Sequence, residues 1–268
     1  MNKIINVGTG KNVTSVNLAL ANGSGSASNY SINSLTAEIT GRPVTISGSR
    51  LYDSTTTASS SILTITSGVS GESLSLTGSG VLGAASAGTQ TITNNNTLAI
   101  ADGTGGLASN YTLSGATINV TIIPRTLNVS LSREYDGTTS VSGSSLTPTF
   151  DSLQGSDTLA LSGTGSVSTA NVGSSKVVSL GSISLAAGSG NPSNYTLNSA
   201  TMNITQRVIN LDGIRAYDAS TNVLSSDINT FGNVVSGETL TILLLSLYFT
   251  KSEEVSSDND SVFSCLFS

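Results

Sequence analysis

The sequence predicts an all-β protein built from tandem small β-sandwich-like modules of about 82 residues. Three observations carry that expectation. Apolar and polar residues alternate along short stretches, Gly and Asn clusters punctuate those stretches, and one pattern of Arg, Tyr and Asp recurs at a fixed interval. Leu127, Val129 and Leu131 follow Arg125 at every second position, and Leu159 and Leu161 keep the same spacing. Such alternation turns one face to a core and the other to water. Thr suits strands, Gly and Asn suit turns, and this much Gly and Ser disfavours long helices. The texture reads as antiparallel. A right-handed parallel β-helix is the alternative architecture. Its rungs need a period of roughly 20–30 residues, and the chain shows no such sub-period.

The repeat organises the chain. Arg42, Arg125 and Arg207 lie 83 and 82 residues apart, and each is followed ten residues later by Tyr52-Asp53, Tyr135-Asp136 or Tyr217-Asp218. A second Arg stands two residues before each of these Tyr, at Arg50, Arg133 and Arg215. A Ser-Asn-Tyr anchor recurs at Tyr30, Tyr111 and Tyr195, and a Gly-led segment recurs at Gly71, Gly155 and Gly237. Val7-Gly8 precedes Tyr30 by the same 23 residues that separate Val172-Gly173 from Tyr195. Residues 1–40 therefore read as the C-terminal half of a module. Residues 41–123 and 124–205 read as complete modules, and 206–242 as the N-terminal part of a further one. Residues 243–268, with Cys265 and three of the five Phe, break the pattern and are expected to be a disordered or frameshifted tail.

Within 124–205, strands are expected near 126–132, 146–152, 157–164, 176–186 and 194–204, with a shorter piece at 139–142. Turn signals every 8–12 residues fit a sandwich or a partly closed barrel.

Composition removes whole classes of function. Gly (28), Ser (50), Thr (35) and Asn (23) fill half of the 268 positions, a make-up that first suggests a linker. Hydrophobic residues at 37% and a net charge of only −6 oppose disorder, which pairs low hydrophobicity with high charge. Without His there is no Ser-His-Asp triad, imidazole base or His metal ligand. One Cys excludes a disulfide framework and multi-Cys metal sites. A pI near 4.4 argues against a nucleic-acid surface. The sixteen acids are dispersed, with no aromatic-lined cleft to match, so neither an enzyme nor a cofactor is expected.

The remaining motifs each have a structural and a chemical reading. The Tyr-Asp units would contact a sugar, or the Tyr packs over a strand end while the Asp caps a turn. The recurrence of the units in every module favours the second. Arg125 and Arg133 share a strand face and would bind an anionic glycan, pair with Glu134 or Asp136, or keep an edge soluble. Gly78–Gly83 matches a dinucleotide fingerprint only formally, because no helix is expected after it. Asp258-Asn259-Asp260 lacks the Gly and Glu of a calcium loop. Ile242–Phe249 is far shorter than the roughly 20 residues of a bilayer span, and no membrane insertion is expected.

Tyr135-Asp136-Gly137-Thr138-Thr139, closed by Asn194-Tyr195-Thr196-Leu197, resembles the YDG-type repeat of filamentous-haemagglutinin-like bacterial surface and secreted proteins. Tyr52-Asp53-Ser54 and Tyr217-Asp218-Ala219 match with the Gly replaced. The resemblance implies a secreted or surface-located adhesin whose repeats form a non-enzymatic stalk or display scaffold, without catalytic residues. Arg42, Tyr52, Asp53, Tyr111, Arg125, Tyr135, Asp136, Tyr195, Arg207, Tyr217 and Asp218 are the expected structural anchors. Neighbouring modules are the expected partners, with host glycans or a cell surface beyond them. The alternatives are a carbohydrate-binding module using exposed Tyr30, Tyr111 and Tyr195 or Thr-rich strand faces, or a truncated reading frame without independent function.

Overall fold

A computed structural model describes residues 6–13 and 18–242. The non-repeat tail and Cys265 lie outside the described residues. Strands β1 (Gly8–Asn12) and β2 (Thr36–Ile39) form an antiparallel pair. Next come β3 (Arg42–Leu51), β4 (Thr57–Ser59), β5 (Leu63–Thr66), β6 (Leu74–Thr77) and β7 (Ser79–Leu82). They are followed by β8 (Gly88–Gln90), β9 (Ile92–Asn94), β10 (Ala99–Asp102) and β11 (Tyr111–Ile123). The next repeat holds β12 (Arg125–Glu134), β13 (Ser140–Ser142), β14 (Thr149–Phe150) and β15 (Leu159–Ser162). It continues through β16 (Thr164–Val167), β17 (Gly173–Ser179), β18 (Ser184–Ala187) and β19 (Tyr195–Thr205). A second antiparallel pair joins β20 (Asn210–Gly213) to β21 (Ile228–Gly232). The fold is all-β, and among the described residues the only helical elements are single 3-10 turns.

The chain divides into two compact units whose limits cut across the repeat. One comprises the described residues up to Thr126 with Ser152–Leu159 and Ala187–Thr196; the other comprises Leu127–Asp151, Ala160–Ala186 and the described residues from Leu197 on. In the first unit the sheets run β5-β3-β11-β8, β4-β7-β9 and β10-β6. Val44 and Ile46 alternate inward along β3 and meet Tyr111 and Ile118 of β11 in the core. The other unit is dominated by a six-stranded sheet of order β13-β16-β17-β19-β12-β14. Its core takes Val129 and Leu131 from β12, and Ala200, Met202 and Ile204 from β19. Both repeats share one topology. The single strand β17 stands where the first repeat has β8 and β9, and this fuses two of the first repeat's sheets into one.

Three expectations are corrected. The texture is not uniformly antiparallel, because β3 and β11, the first and last strands of their repeat, pair in parallel from Tyr111↔Arg42 to Ile123↔Leu51. Side-chain bonds from Asn198 to Asn128, Thr201 to Ser130 and Thr205 to Arg133 ascend together, so β12 and β19 run the same way. The expected strand at 157–164 is two strands, β15 and β16, split at Gly163 with φ 80°. A Cβ there would stand 2.1 Å from the Ser182 carbonyl oxygen, so only Gly fits. The stretch 176–186 likewise breaks, at a turn closed by Ile183 N–H on the Leu180 carbonyl at 2.7 Å. A parallel β-helix would stack its rungs in parallel, whereas the remaining ladders whose register is resolved are antiparallel.

Candidate functional site: the joint between repeats

Each Tyr-Asp unit is a compact turn. Asp136 Oδ1 accepts from the backbone N–H and the hydroxyl of Thr138 at 2.9 and 3.0 Å, and Arg133 holds Oδ2 at 2.9 Å. Asp53 receives the same pair of bonds from Thr55 and an ion pair from Arg50. Asp218 accepts from Ser220 N–H at 2.9 Å and faces Arg215 at 3.4 Å. Each Arg also donates to a carbonyl across the turn: Thr55, Thr138 and Ser220 respectively. Burial pushes the Asp53 carboxyl up, but the Thr55 hydrogen bonds and the Arg50 charge outweigh it and hold the pKa below its ordinary value. Residues 54, 137 and 219, between each Asp and the residue that donates to it, all take positive φ, at 63°, 75° and 59°.

In the first two units the Tyr points elsewhere, toward the following repeat. The Tyr52 hydroxyl donates to Asp157 Oδ2 at 2.9 Å, and Tyr195 donates to the same oxygen at 2.7 Å. The two rings meet edge to face with centroids 5.2 Å apart. Such a contact adds about 0.5–1.5 kcal/mol beyond the area buried. Gln154 N–H donates to the Tyr195 hydroxyl, and Arg125 Nε donates to the Tyr52 carbonyl at 3.0 Å. Asn194, only 4% exposed, accepts from Ala87 N–H at 2.8 Å. Burial, then the bond to Asp157, pushes the Tyr195 pKa up to about 12. The same causes raise that of Tyr52.

These bonds recur one repeat away on either side. Tyr111 donates to Glu72 as Tyr195 does to Asp157. Asn110 accepts from Val7 N–H at 2.9 Å as Asn194 does from Ala87. Tyr135 donates to Glu238 as Tyr52 does to Asp157, and Arg207 donates to the Tyr135 carbonyl at 3.4 Å. Local structure sets each partner in place. A 3-10 turn ends at Asn29, Asn110 and Asn194 and delivers the next residue, Tyr, to the start of its strand or extended segment. Glu72, Asp157 and Glu238 each close a four-residue turn on the carbonyl three residues earlier, with a Gly at positive φ inside it.

Of the expected anchors, Tyr52, Tyr111, Arg125, Tyr135, Tyr195 and Arg207 come together in these joints, whereas Asp53, Asp136 and Asp218 stay in their own turns. Arg42 lies beside Gly68 and close enough to Tyr111 to lower its pKa, against the larger upward effects of burial and Glu72. Tyr217 is 94% exposed. Glu134 faces Arg207 at 3.8 Å, not Arg125 or Arg133. The expected exposure of Tyr111 and Tyr195 is corrected: they are 8% and 4% exposed, because the joint takes both hydroxyls, and only Tyr30 of the three is open at 70%. Glu72, Asn110, Asp157, Asn194 and Glu238 are joint residues that the expected set lacked. Their signal is the acid one or two residues after Gly71, Gly155 and Gly237. Among the described residues no group of three or more Cys, Asp and Glu side chains is placed to hold a metal ion.

Fold and joint together define an all-β tandem-repeat protein whose successive units share one set of interlocking bonds. The YDG domain matches residues 36–120 and again 119–202, and the chain belongs to that family. No curated protein and no solved structure matches it.

Proposed function

We propose that the chain is a non-enzymatic structural repeat region of a bacterial extracellular adhesin, where it spaces or displays a distal binding domain. The observation that carries this reading is the recurrence of one joint along the chain. Glu72 and Asp157 each take a Tyr from their own repeat, and Asp157 and Glu238 each take one from the preceding repeat. Repeats linked by such nearest-neighbour contacts behave as a quasi-one-dimensional array. Of the three tyrosines that a carbohydrate-binding reading would use, Tyr111 and Tyr195 are buried and Tyr30 is open.

X-ray scattering from the monomeric chain tests the spacer reading. A globular chain of this length has a radius of gyration of about 18 Å. An array gives a clearly larger value and an extended distance distribution. A globular profile overturns the proposal.

A further inference from the structure

Two tyrosines from successive complete repeats share one carboxylate oxygen. Tyr52 and Tyr195 donate to Asp157 Oδ2 at 2.9 and 2.7 Å, and both side chains are buried. Their ring centroids lie 5.2 Å apart with the planes crossed at 77°, and all three residues belong to one compact unit. Because both phenol oxygens reach the same atom, the ring carbons ortho to them are neighbours. Each ring can turn about its Cβ–Cγ bond without moving the hydroxyl oxygen, which lies on that axis. An ortho carbon can therefore swing toward its partner while the bond to Asp157 persists.

The arrangement favours oxidation of the pair. Tyr195 keeps its phenolic proton to about pH 12, so an electron leaves this ring only if the proton leaves with it. Asp157 Oδ2 already accepts a hydrogen bond from both phenols and stands ready for that proton. Two phenoxyl radicals formed side by side and shielded from water have each other as nearest partners. Radicals on the exposed Tyr30 and Tyr217 must meet another chain.

We infer that Tyr52 and Tyr195 are an oxidative cross-linking site whose product is a dityrosine bond tying one repeat to the next. Two equivalents of a one-electron oxidant take one electron from each phenol, and the two O–H protons pass by way of Asp157 to water. The ortho carbons then couple in a carbon–carbon bond. Each ortho hydrogen leaves its carbon as a proton and returns to the oxygen of the same ring, which restores two phenols. The net loss is two protons and two electrons. With one Cys the chain has no disulfide to play this part. The bond closes a loop of more than a hundred residues and so removes entropy from the unfolded chain.

Oxidation of the full chain in dilute solution tests the site, with photogenerated ruthenium(III) tris-bipyridine as oxidant and persulfate as the final electron acceptor. The expected product is a monomer with dityrosine fluorescence, lighter than the parent by two hydrogen atoms, whose digest holds the Tyr52 and Tyr195 peptides joined. It melts above the untreated chain. Tyr52→Phe and Tyr195→Phe keep the ring but lose the hydroxyl, and each abolishes the monomeric cross-link, with circular dichroism confirming the fold. Tyr30→Phe and Tyr217→Phe leave that cross-link at the parental yield and lower only coupling between chains. No dityrosine, dityrosine confined to dimers and larger species, or a monomeric cross-link between any other pair overturns the inference. Those three outcomes are read from the parent chain, so they stand even if a variant fails to fold. X-ray scattering judges the spacer reading apart from this chemistry, and either can fail alone.

Discussion

At the scale of single residues, the Tyr-Asp turn shows how a motif can vary and keep its geometry. Gly137 takes φ 75°, and Ser54 and Ala219 hold the same left-handed conformation without being glycine. An L-residue there costs about 1–2 kcal/mol. Ser54→Gly is therefore expected to raise stability in urea titrations by about 1 kcal/mol. Gly137→Ala is expected to lower it by at least as much, since the new Cβ would also meet Val235 Cγ1 at 2.9 Å. Tyr195 supplies a pH dependence. The folded state keeps its phenolic proton to about pH 12, whereas an ordinary Tyr releases it near 10.0. Stabilisation by this group is full below pH 10.0 and is lost as pH climbs toward 12. Unfolding free energies across that window should fall, and less steeply in Tyr195→Phe. The scarce Tyr and Arg were legible as repeat marks. Glu72, Asp157 and Glu238 were not, because the acid shifts by one place after Gly155 and an acid beside a Gly resembles any surface turn.

Elements were legible where alternation set them. β12 and β19 lie within a few residues of the expected 126–132 and 194–204, because Leu127, Val129, Leu131, Met202 and Ile204 mark one inward face. The split of β15 from β16 was hidden because it comes from the backbone conformation of Gly163 and not from the apolar pattern. Strand direction was hidden too, since period-two alternation looks the same in parallel and antiparallel neighbours. The turn that carries Asp157 is the element on which two tyrosines converge. Removing the carboxylate leaves two nearly buried hydroxyls without their acceptor. Asp157→Ala is expected to destabilise by about 2–4 kcal/mol in chemical denaturation. A loss under half of that would show that the shared oxygen is replaced by water.

At the scale of the molecule, compact units and sequence repeats are out of step. Residues 152–159 and 187–196 belong by sequence to the second complete repeat, yet they pack with the first. The hydrophobic pattern could not reveal this, because the contacts are hydrogen bonds and a ring pair that join residues more than a hundred positions apart, as in Tyr52 with Asp157 and with Tyr195. A fragment ending near residue 126 should then melt well below the same repeat in the whole chain, since Tyr52 loses both Asp157 and the Tyr195 ring. Equal melting temperatures would mean that the joint adds nothing to the fold of the repeat before it.

The parallel ladder between β3 and β11 also sets how a repeat answers to tension. The chain enters a repeat at Arg42 and leaves it at Ile123, and these residues lie at opposite ends of the ladder. A pull along the polypeptide drags the two strands past each other lengthwise, so the ladder's hydrogen bonds resist together instead of opening one by one from an end. Force spectroscopy with handles at residues 42 and 123 should show abrupt rupture at high load. Handles on the antiparallel partners β6 and β10, attached at Leu74 and Asp102, which face each other across that ladder, should peel it apart at a lower one.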